Sequence, residues 1–133
     1  MAGLLTHILI SLGGFLFSLI IFKEYKYAIS FIFGQTIPDA IKFGIPGIMF
    51  KTSSFREIIS KPLFWQLNSF THSFGFWCVL CLIGVIISFV LYKMKKIKKS
   101  TMITFLLLIL VFIISIAIHM VLDAYVIERS YWI

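Results

Sequence analysis

Residues 102–126 read MITFLLLILVFIISIAIHMVLDAYV, and His119 and Asp123 are the only imidazole, acidic or basic side chains in the run. A stretch this long and apolar predicts a helix able to cross a hydrocarbon core, which takes about 20 residues. On a helix, residues four apart share a face with Cβ atoms about 5 to 6 Å apart, so His119 and Asp123 present an imidazole and a carboxylate to one point. That is a two-ligand edge for a metal ion. Ionisable groups inside such a helix are costly enough to be a functional hypothesis by default. The rest of the chain decides whether further ligands reach the same point.

Composition sets the solvent. The 133 residues are 61% hydrophobic and 13% charged, with a mean hydropathy of +1.07, against an apolar share of about 45 to 50% in soluble domains. The sequence therefore predicts an integral membrane protein, with residues 1–133 as a single transmembrane domain. Of its 12 basic residues, Lys93, Lys95, Lys96, Lys98 and Lys99 stand in one loop. The formal charge of +7 then reads as a topology signal beside anionic headgroups, not as a nucleic-acid surface. Cys78 and Cys81 lie inside an apolar stretch and read as small hydrophobes. The N-terminus lacks a basic region ahead of its apolar stretch, so it is expected to be a retained helix and not a signal peptide.

Four spans are predicted: residues 4–22, 27–48, 70–92 and 102–126. The first holds Gly13-Gly14, which would admit a neighbouring helix closely. The second is interrupted by Gly34-Gln35-Thr36-Ile37-Pro38-Asp39 and by Gly44-Ile45-Pro46-Gly47. Proline removes a donor and disfavours helix in the residue before it, so a broken span or a re-entrant loop is expected there. Residues 51–66 read as an interfacial segment with Phe64 and Trp65 as headgroup-level anchors. A plain connecting loop is the alternative. Ser100 or Thr101 is expected to cap the fourth helix, and Tyr131-Trp132 fits an interface belt. The fold class expected is all-α, a polytopic four-helix transmembrane bundle with a broken second span and an interfacial segment.

The positive-inside rule puts the five-lysine loop and the Lys23/Lys26 turn on the cytoplasmic side of an inner or plasma membrane, with both termini outside. His7, Asp39, His72, His119 and Asp123, every histidine and aspartate in the chain, then fall in the outer half. Counting from the cytoplasmic turns gives heights of roughly 24 to 35 Å for the three histidines and Asp123. Asp39 lies only about 18 Å up, and a break at Pro38 would repair the mismatch. Taken singly, each residue has a plainer reading: His7 as an interfacial histidine, His72 as a polar cap, Asp39 as a turn residue after proline. Taken together they predict a divalent-metal site, since neutral imidazole and carboxylate suit Zn²⁺, with Mn²⁺ as the alternative.

In this order, His7, Pro38-Asp39, Phe70-Thr71-His72-Ser73 and His119-x-x-x-Asp123, the residues resemble the YdjM-like inner-membrane family of metal-dependent hydrolases over most of the chain. The same order of ligands is similar to the metal framework of bacterial zinc-dependent phospholipase C. The resemblance implies one metal held by Asp39, His72, His119 and Asp123, and a second held by His7 with Asp123 as bridge. It also implies Asp39 as the catalytic general base. The chain departs from the family pattern Pro-Asp-x-Asp, with Ile41 at the second acid, and from His-Arg-Gly before Thr-His-Ser, where Leu67, Asn68 and Ser69 stand. The later phospholipase ligands have no counterpart beyond Glu128.

The expectation is thus a membrane-bound metal-dependent hydrolase acting on a phosphoester or lipid-linked substrate at the outer leaflet. Its rival is a non-catalytic scaffold or transport subunit in which the same His and Asp residues make interhelical hydrogen bonds.

Overall fold

A computed structural model describes residues 2–123, with side chains from Ile8 onward. The described residues form six α-helices and no strand: α1 (Ala2–Phe22), α2 (Tyr25–Met49), α3 (Phe55–Ile59), α4 (Pro62–Thr71), α5 (Phe74–Lys93) and α6 (Lys99–Leu122). Two of them, α5 and α6, are long and apolar enough to cross a membrane. Much of α5 turns its apolar side chains outward, Val79, Leu82, Ile86 and Phe89 among them.

The central helix is α2, flanked by α1 and α6, with α5 on α6. Tyr27, Phe31 and Val111 form the buried core, with Phe22, Leu107, Leu108 and Ile118 packed around it. Where helix backbones approach, the side chains are small. A Cβ built on Gly14 would run into the ring of Phe31, and one on Gly34 would stand 2.6 Å from Ser115 Cβ. Among the described residues a Cβ on Gly13 meets nothing within 4 Å, so only the second glycine of the pair shows the close-approach role expected of both.

Three hydrogen bonds pin α2 to α6. Ser30 Oγ donates to Leu108 O (2.9 Å), Ser115 Oγ to Phe31 O (2.5 Å) and Gln35 Nε2 to Ser115 O (2.5 Å). Their sequence separations are 78, 84 and 80. The two helices therefore run parallel with residue i of α2 beside about residue i+80 of α6, which puts Asp39 beside His119. On that register Tyr25 stands level with Phe105, so α2 begins about six residues, or about 9 Å, beyond the start of α6.

This stagger answers the depth mismatch expected for Asp39, and it does so without a broken span. Contrary to that expectation α2 is one uninterrupted helix with Pro38 and Pro46 inside it. Each proline forfeits the bond its N–H would make to the carbonyl four residues back and crowds that carbonyl with its ring. Both rings are fully buried, and their packing offsets that loss.

The chain turns back after α2 instead of within it. Lys51, in the left-handed region at φ 51°, closes α2, and Thr52 N donates to Gly47 O at 3.0 Å. Helix α4 then returns against the second half of α2. Phe64, expected as a headgroup anchor, is buried with its ring centroid 5.2 Å from that of Phe43. Trp65 is exposed, and its indole N–H donates to Ile59 O.

Two boundaries also move. Phe70 and Thr71, expected in the third span, end α4, and α5 starts at Phe74. Ser100 and Thr101 lie within the first turn of α6, which begins at Lys99, so neither is its cap. The expected end of the fourth span at Val126, together with Glu128 and Tyr131-Trp132, lies outside the described residues.

Candidate metal centre

Three pieces of chain meet beside the middle of α2. Helix α2 supplies Asp39, the joint between α4 and α5 supplies His72, and the last turn of α6 supplies His119 and Asp123. One ligand atom from each of these four residues lies within 4.8 Å of the other three. His72 Nε2 is 2.6 Å from Asp123 Oδ2 and 3.9 Å from Asp39 Oδ1. His119 Nε2 is 3.5 Å from Asp123 Oδ2 and 3.7 Å from Asp39 Oδ1.

These spacings suit a common ion. A tetrahedral centre with N and O ligands at about 2.0 to 2.2 Å separates them by about 3.3 to 3.6 Å. Three of the four separations fall in or just outside that range, and the fourth is a hydrogen-bond distance. Two imidazoles with two carboxylates is also a donor set that suits Zn²⁺. Exposure is graded across the cluster: the side chains are 0% exposed for His119, 11% for Asp123, 17% for His72 and 37% for Asp39. The cluster thus opens to its surroundings at Asp39.

The joint that carries His72 is held from both sides. The α4 helix stops there, and the Trp77 indole N–H donates to Thr71 O at 2.6 Å. Thr71, itself buried, donates its hydroxyl hydrogen to Leu67 O at 2.9 Å. Its oxygen lies 3.2 Å from His72 Nδ1. That contact turns the other ring nitrogen, Nε2, towards the cluster. There Nε2 stands 2.6 Å from Asp123 Oδ2, a spacing that a proton or a cation holds together.

A cation is at hand in Lys42, which sequence reading passes over. Its Nζ lies 2.6 Å from Asp39 Oδ1, 3.0 Å from His72 Nε2 and 3.7 Å from Asp123 Oδ2, and its side chain is only 6% exposed. The signal is in the sequence all the same. A lysine three residues after Asp39 in an apolar helix shares its face, and a buried charge there marks function as readily as the aspartate does.

Of the five residues expected to bind metal, the structure brings together Asp39, His72, His119 and Asp123. His7 belongs to α1, and its side chain lies outside the described residues. No family model, curated protein or solved structure matches the chain.

Proposed function

We propose that this chain is a four-span membrane protein of the YdjM-like kind, with a divalent-metal centre at Asp39, His72, His119 and Asp123, and that it hydrolyses a phosphoester or lipid-linked substrate. The observation that carries the reading is the convergence of four N and O ligand atoms, from three separate chain segments, within 4.8 Å. The four-span topology is supported by α5 and α6, by the outward apolar side chains of α1, such as Leu12, Leu16 and Phe17, and by the lysine-rich 93–99 loop.

A divalent ion held by these residues would supply Lewis acidity and bring the pKa of a bound water towards about 7. The protein's own part is to orient and to move a proton. Thr71 fixes the His72 ring, and the buried His119 gives the centre a dry wall. Asp39, the most open of the four carboxylate and imidazole groups, accepts the proton of the attacking water. As the water oxygen bonds to phosphorus and the P–O ester bond breaks, that proton passes to the leaving alkoxide.

A second reading is favoured by the Lys42–Asp39 contact at 2.6 Å: a non-catalytic scaffold in which a buried ionic network joins the helices. Metal analysis separates the two. Purified protein should carry one equivalent of Zn or Mn per chain, and His119→Ala and Asp123→Ala should lose it. Metal-loaded protein incubated with mixed phospholipids should alter the lipid profile seen by mass spectrometry. An unchanged profile across headgroup classes overturns the hydrolase, and absence of stoichiometric metal overturns the centre and leaves the scaffold.

A further inference from the structure

Resting on the metal reading above, we propose that Lys42 is a tethered competitor of the metal: its ammonium and the ion take the same ligand atoms, so metal binding is a displacement of the lysine. His72 decides this. With Nδ1 held at Thr71 Oγ (3.2 Å), the ring turns Nε2 into the cluster, where it lies 2.6 Å from Asp123 Oδ2 and 3.0 Å from Lys42 Nζ. An Nε2 that ligates an ion has no lone pair to offer the ammonium.

The carboxylates reinforce the exclusion. Lys42 Nζ is 2.6 Å from Asp39 Oδ1 and 3.7 Å from Asp123 Oδ2, so it draws on three of the four ligands. An ion at the same ligands would face a unit positive charge at close range in a surrounding that screens charge poorly. Loading therefore requires the Lys42–His72 hydrogen bond to break and the ammonium to leave the cluster. The four-carbon stem of lysine allows that movement without moving α2. What the lysine sets is affinity: it holds two neighbouring carboxylates and an imidazole together before loading, and every ion that enters must outcompete it.

The experiment is a metal titration of the full-length protein in detergent, with Zn²⁺ or Mn²⁺ measured against a chromophoric chelator. Lys42→Met removes the charge and keeps the length, Lys42→Ala removes both, and Lys42→Arg keeps a charge. Lys42→Met and Lys42→Ala should bind one equivalent at least tenfold more tightly than wild type, and Lys42→Arg no more tightly. Equal or weaker binding in the two neutral variants, with wild-type helicity by circular dichroism, overturns the proposal.

A second measurement needs no variant. Metal loading of the wild type should free the ammonium and raise acetylation of Lys42 by an amine-reactive reagent, read by peptide mass spectrometry. Unchanged acetylation in loaded protein also overturns the proposal. If the wild type binds one equivalent that His119→Ala abolishes, yet the neutral variants gain nothing, only this inference falls. If neither wild type nor neutral variants bind, the metal centre falls and takes the inference with it.

Discussion

The hydroxyl of Thr71 has one hydrogen, and Leu67 O takes it. What remains on the oxygen are lone pairs, and His72 Nδ1 lies 3.2 Å from them. Partners of this kind behind a ligating histidine are worth about 10- to 100-fold in metal affinity. Thr71→Val keeps the shape and removes both bonds, so it should weaken metal binding about tenfold, and Thr71→Ser should restore it; equilibrium dialysis measures both. At this scale much of the candidate site was readable. His119 and Asp123 follow from helical spacing alone; His7, Asp39 and His72 were grouped with them by the expected topology, and the structure brings Asp39 and His72 to them. Thr71 and Lys42 were harder to see. A threonine before a histidine has many roles, and its choice of Leu67 as acceptor depends on where α4 ends.

At the scale of the helices, contact between α1 and α2 rests on one missing side chain. Gly14 lies under the Phe31 ring, and a Cβ on its neighbour Gly13 meets nothing among the described residues. The two should therefore respond oppositely to the same change. Gly13→Ala relieves the entropic cost of glycine in a helix and should stabilise the fold by about 0.5 to 1 kcal/mol. Gly14→Ala forces a methyl into Phe31 and should cost about 1 to 3 kcal/mol. Unfolding titrations of the two variants in mixed micelles check the sign of each. Helices α3 and α4 were read only as an interfacial segment or a connecting loop, but the long helical runs were legible, because apolar runs punctuated by lysine turns leave few alternatives. The continuity of α2 was not. Proline reads locally as a breaker, whereas Pro38 and Pro46 are buried by the tertiary packing around α2, which no local window contains. The same distance hides the packing of Phe64 on Phe43.

For the molecule as a whole, the axial stagger of α2 on α6 brings Asp39 level with His119. No count along a single span reveals it, since it is set by hydrogen bonds between residues about 80 apart. A centre joining α2, the α4–α5 joint and α6 should couple metal to global stability. At an ion concentration a hundred times Kd, binding contributes about 2.7 kcal/mol. EDTA treatment should therefore lower the unfolding midpoint of the wild type, and it should leave that of His119→Ala in place; calorimetry in detergent compares them. The order in which the parts are made gives the Lys42–Asp39 contact a further meaning. During biosynthesis α2 emerges long before α6, so Asp39 must wait for the carboxylate and imidazole that will later surround it. Lys42, three residues away on the same helix, is already present, and the two opposite charges can neutralise each other long before the ribosome has delivered His119.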